Sequence, residues 1–281
     1  MRTSRFLVAL AAGLLTACGQ TGSPPAQQRP DADRGLAHVH GLGVDPADGT
    51  LYAASHHGLF RLPATGKPER VAGNRQDTMG FTIVGPHHFL GSGHPAPGDA
   101  GPPHLGLIES TDAGRQWRTL SLAGKADFHS LEAKHNLVYG YDSLTRQLMV
   151  STDKQSWDRR ARLGLADFAV SPTDPNVLLA TTQQGLARST DGGRTFTPVP
   201  DSPILLLVDW PNATTLVGAD PDGALYASPD GGATWSKKGA VPGGPVALTA
   251  IGPTDIHVAT DAAIHTSHDA GATFPVRRQL S

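Results

Sequence analysis

The chain has 281 residues, and its 23 Lys and Arg against 25 Asp and Glu leave a formal charge of −2. With no basic cluster to gather phosphates, nucleic acid is excluded as a main partner. Cys18 is the single cysteine, so no internal disulfide can form.

The chain opens with Arg2 and Arg5, an apolar run from Phe6 to Leu15, and small residues ending at Cys18. An apolar core of about 10 residues, where a bilayer span takes about 20, predicts a secretory signal over residues 1–17. The tail "LTAC" (Leu15 to Cys18) resembles the lipobox of bacterial lipoproteins. That resemblance implies lipid on Cys18 and an extracytoplasmic protein held at the cell membrane or the outer membrane. From Gly19 to Gly35 the sequence is polar and rich in Pro, Gln and Gly, so residues 18–35 are expected to be the acylated cysteine and a flexible tether. Residues 36–281 then suffice for one all-β domain.

One short segment recurs five times: "STDAGRQW" from Ser110, "STDKQSW" from Ser151, "STDGGRTF" from Ser189, "SPDGGATW" from Ser228 and "SHDAGATF" from Ser267. The starts are 41, 38, 39 and 39 residues apart. A period near 40 made of short β-rich stretches and turn clusters predicts propeller blades of four strands each. In the fourth unit "DFAVSP" reads as the innermost strand, "NVLLATT" as the second and "GLARST" as the third. The first unit, "HVHGLGVDPADGTLYAASHHGLFRL", fits the same template without the final segment. Five complete units and this one predict a six-bladed β-propeller, whereas seven blades would need a unit the sequence does not contain.

The recurrent segments resemble the Asp-box, or BNR, repeats of sialidases and related β-propellers. In such repeats the Ser/Thr and Asp side chains bond the backbone of their own hairpin, so Asp112, Asp153, Asp191, Asp230 and Asp269 are expected to be structural. The copy at Ser151 has Lys154 and Gln155 where the others have glycine, and its turn must differ. With "HVHGLG", "MGF", "SGHPAPG" and "DFHSL", the chain is similar to secreted bacterial lipoproteins labelled sialidase-like or glycosyl-hydrolase proteins. Sialidase chemistry uses three arginines and a tyrosine–glutamate pair. Here Arg61 of "FRLP" aligns to a third strand and Tyr141 has no glutamate beside it, so sialidase activity is not expected.

In a propeller, innermost strands start and second strands end at one face, around the axis. The repeat alignment places His38, His40, Asp77, Met79, Asp127, His129 and Asp167 at innermost-strand starts. Second-strand ends receive His56, His57, His94, Tyr141 and Asp142. Blades five and six offer only apolar residues at their starts and read as scaffold. The set His38, His40, His57, Met79, His94 and His129 is the expected metal site, because imidazoles converging from rigid strands are good ligands. Met79 would favour copper through its thioether, while a set of histidines and carboxylates would suit zinc. A second reading is a glycosidase using two of Asp77, Asp127, Asp142 and Asp167. A third is a propeller that docks an envelope protein on the same rim. The insertion "HPAPGDAGPPHLG", His94 to Gly106, is placed to cover that rim as a lid.

Overall fold

A computed structural model describes residues 35–280. The expected signal sequence, Cys18 and all but the last residue of the expected tether lie outside the described residues.

The described residues build six four-stranded antiparallel sheets, each made of four strands consecutive in the chain. This is the six-bladed β-propeller that the repeat predicts. The innermost strands are Val39–Val44, Asp77–Gly85, Phe128–Lys134, Asp167–Val170, Leu207–Asn212 and Pro245–Ile251. The fourth-unit reading holds, with Leu178–Thr182 second and Gly185–Ser189 third. The helical content of the described residues is one short 3-10 turn, Val71–Gly73. None of their helices is long and apolar enough to cross a membrane.

Burial is greatest in the second and third strands of the blades and least in the outermost. The second strand of blade one, "LYAAS" (Leu51–Ser55), is buried at every position, because neighbouring blades cover both of its faces. The outer strand of blade five, "SKKGA" (Ser236–Ala240), is almost wholly exposed. Lysines on such an edge discourage pairing with another chain. The core consists of wedges between successive blades. One wedge joins Tyr139, Tyr141, Leu148 and Val150 of blade three to Phe168, Val170, Leu178 and Ala180 of blade four. Each large side chain buried there contributes about 1.5–3 kcal/mol.

The ring closes by packing, since no sheet contains strands from both ends of the chain. Leu36, Leu42, Leu51, Phe60 and Leu62 meet Ala247, Ala259 and Ile264 of blade six. Across the same seam Arg277 donates to the Leu62 carbonyl (3.3 Å) and Arg278 to that of Pro63 (3.4 Å).

The repeated segments form the hairpins between third and fourth strands. In blade four Ser189 Oγ donates to Asp191 Oδ1 (2.7 Å) and accepts from the Gly193 amide (2.8 Å). Asp191 Oδ1 in turn accepts from the amides of Arg194 (2.9 Å) and Thr195 (3.0 Å). Ser110, Ser228 and Ser267 bond their own hairpins in the same way. In the divergent copy Lys154 takes the positive φ of 62° itself. Its Nζ reaches Glu109 of blade two (2.7 Å). Burial pushes the Glu109 carboxyl up, but Lys154, His88 and Arg118 outweigh it and hold the pKa at about 2.

Candidate metal centre

Two histidine–carboxylate groups stand at the face where innermost strands start. The first spans blades one and two. His40 lies in the innermost strand of blade one and Asp77 begins that of blade two. His56 sits in the two-residue turn closed by the Ser55–Gly58 pair. His56 Nδ1 is 2.7 Å from Asp77 Oδ2, and His40 Nε2 is 3.3 Å from Asp77 Oδ1. The His40 and Asp77 atoms face each other without hydrogen-bond geometry, and both are buried with no other partner. Burial raises the Asp77 pKa, yet the neighbouring His40 and then His56 bring it below the usual aspartate value.

The second group spans blades two and three. His94 ends the second strand of blade two, His88–His94. His104 comes from the insertion that follows, and Asp127 directly precedes the innermost strand of blade three. His94 Nε2 and His104 Nδ1 are 3.8 and 3.9 Å from Asp127 Oδ2. His129 Nε2 donates to the same oxygen (2.9 Å), and so does Ser143 Oγ (3.0 Å). Burial pushes the Asp127 carboxyl up, but His129, Ser143 and His94 together keep it low.

Blade two separates the groups. Asp77 and His94 are directly paired in its ladder. Asp77 meets blade one while His94 meets blade three, so one expected constellation resolves into two. Gly93 permits the tight pairing, because a Cβ there would lie 2.0 Å from the Asp77 carbonyl. The Leu105 amide bonds back to Gly93 O (2.8 Å), which returns the insertion and His104 to the rim.

The remaining candidates fall around these groups. His38 precedes the first strand with a positive φ of 51°. Its ring is 6.3 Å from that of His56 and 6.5 Å from that of His57. The His57 ring lies 5.1 Å from that of His56, and it is His56 that reaches Asp77. Met79, His40 and His129 line an axial cavity of about 380 Å³.

The same cavity is lined by Glu132, Lys134, Asp167 and Asp209. The three acids tie successive innermost strands together. Glu132 accepts from the Val170 amide (2.6 Å), Asp167 from that of Val208 (3.0 Å) and Asp209 from that of Ala250 (2.8 Å). Burial raises the pKa of Asp167 to about 6 and of Glu132 to about 7, the latter opposed by Lys134. Asp142 is spent locally, accepting from the Asp127 amide (3.0 Å) and from Thr145 Oγ1. Blade five, read from sequence as scaffold, therefore supplies Asp209 to the axis.

Sequence reasoning missed three features of the site. His56 and His57 share a two-residue turn, where strand alternation cannot say which ring faces the axis. His104 lies ten residues beyond His94, and only the "PPHLG" run next to the resuming strand marks its return. Glu132 and Asp209 lie inside their strands, past the starts that the alignment compared.

No protein-family model matches the chain, and no curated protein matches it. Solved structures do match in fold. A gluconolactonase from Xanthomonas campestris aligns with TM-score 0.66 at 13% identity, over 86% of this chain and 88% of that one. YCF48 bound to D1 peptide aligns with TM-score 0.54 at 16% identity, over 92% and 88%. An ancestral GH74 enzyme aligns with TM-score 0.53 at 13% identity, over 84% of this chain and 37% of that one. Identities this low establish the propeller and leave the site to be argued from its own residues.

Proposed function

We propose that the protein is a lipid-anchored, extracytoplasmic propeller of the Asp-box lipoprotein kind that binds a transition-metal ion through His40, His56 and Asp77. The carrying observation is the pair His40 Nε2 and Asp77 Oδ1, buried, 3.3 Å apart and without a hydrogen bond. Four ligands placed tetrahedrally at 2.0–2.1 Å from zinc are about 3.3 Å from one another, so the pair already spans one edge of such a site. Polar atoms buried without hydrogen bonds are costly, and a bound cation would satisfy both. The His56 Nδ1 proton, now shared with Asp77, would be displaced by the metal.

Two imidazoles and a carboxylate suit zinc or Cu(II), and copper gains further where the Met79 thioether joins them. A glycosidase reading has less support, because Asp142 and Asp167 already spend their oxygens on backbone amides and hydroxyls. The membrane would be reached through lipid on Cys18. The deciding experiment is metal analysis of protein stripped with chelator and reloaded separately with zinc and copper. Retention of an ion that is lost in His40→Ala supports the reading, and equal retention in that variant would overturn it.

A further inference from the structure

We infer that the group around Asp127 is a second, separate metal site, with a coordination position left for an exchangeable oxygen-donor ligand. It uses none of the residues of the Asp77 group and stands or falls without it.

The tautomers already suit an ion. His94 Nδ1 lies 2.9 Å from the Pro103 carbonyl, which can only accept, so that nitrogen carries the proton. In the neutral ring Nε2 is then the atom left to bind a metal, and it faces Asp127, the arrangement in which a backbone carbonyl fixes a metal-binding imidazole. His104 Nδ1 is buried and has no hydrogen-bond partner. The Asp127 side chain is 4% exposed, and its Oδ1 is also without a partner. Its Oδ2 is meanwhile oriented by His129 and Ser143, an outer shell around a ligating carboxylate.

The donor atoms fit a cation of borderline hardness such as zinc or Co(II). Separations of 3.8 and 3.9 Å exceed the tetrahedral edge of about 3.3 Å, so a small inward movement completes the set. His104 is placed to make that movement, because it comes from the insertion rather than from a strand. Two histidines and one carboxylate leave the fourth position of a tetrahedral ion to water or substrate, as in catalytic rather than structural zinc sites. His129 links this group to the axial cavity, whose 380 Å³ lies within the range of small-molecule sites. A carboxylate or hydroxamate is the class of ligand such a position takes.

The test uses the mature protein, stripped with chelator and reloaded with Co(II), whose visible absorption reports coordination. Acetohydroxamate is the probe. Two ions per chain are expected in the wild type, one in His104→Ala and one in Asp77→Asn. Acetohydroxamate should shift the spectrum of Asp77→Asn, in which the Asp127 group is the one left intact. Circular dichroism checks that each variant is folded, and His94→Ala serves as a second disruption of the same site. Two ions retained in both His104→Ala and His94→Ala, or no spectral shift in Asp77→Asn, would overturn the inference. An ion kept by Asp77→Asn but absent from His104→Ala would sustain it while removing the Asp77 reading instead.

Discussion

Aspartates serve opposite ends of this molecule in opposite ways. On the rim hairpins Asp191, Asp230 and Asp269 each receive a backbone amide, a threonine hydroxyl and a serine hydroxyl. Those bonds lower the Asp191 pKa and hold Asp230 and Asp269 at about 2, although the latter two stand in solvent. At the axial mouth Asp77 and Asp127 are buried or nearly so, each meets histidines from another blade or loop, and each keeps one oxygen without a hydrogen bond. Repetition marks the first kind, since every blade must close its hairpin. The second kind breaks the repeat, being confined to the junctions of the first three blades, and there the chemistry has been left incomplete within the protein.

The largest effect should come from breaking the axial side. Asp77→Asn keeps the side-chain shape but removes the charge, and should weaken metal binding at that group by about 100-fold or more, read by competition with a chromogenic chelator. Circular dichroism of the metal-free variant should match the wild type. Breaking the rim should invert that pattern. Gly193→Ala would set a Cβ 2.4 Å from Leu148 Cδ2 at a φ of 84°, and should lower stability by about 1–3 kcal/mol in urea melts with metal affinity unchanged.

A third measurement separates the histidine–carboxylate region from the seam between blades one and six. His257 is buried against Thr266, and burial followed by the charge of Arg277 lowers its pKa to about 4. The unfolded chain takes up this proton near pH 6.5 and the folded one only near pH 4, so stability is full above that window and falls as pH drops through it. The slope from this group is about 1.4 kcal/mol per pH unit, and His257→Asn should remove it. Asp167 and Glu132, raised by burial, act with the opposite sign: their stabilising share is lost as pH rises through about 6 and 7. The difference between wild type and variant therefore isolates the histidine. The smallest effect sharpens the choice inside one turn. His56→Ala should lose metal, whereas His57→Ala should lose much less, by the same chelator competition.

Much of this was legible in the chain. Serine, aspartate and glycine at fixed spacing gave the blade count, since a hairpin bonded by its own side chains is a local structure. The alignment also brought His40, Asp77, His94, Asp127 and His129 to one face, because strand order within a blade follows the period. It did not divide them into two groups, a division made by the ladder pairing of Asp77 with His94 in blade two. Nor did it select His56 over His57, or find His104. A two-residue turn and a twelve-residue loop, 95–106, carry no periodicity from which direction can be read.

The sequence by itself determined that six blades form, which strands are innermost, and why the rim aspartates are spent on their own hairpins. All of these follow from bonds and hydrophobic alternation within about 40 residues of chain. Only the tertiary structure decided which imidazole meets which carboxylate, and which buried atoms remain without partners. Those contacts join blades, and their distances depend on how neighbouring wedges pack around the axis rather than on any spacing along the chain.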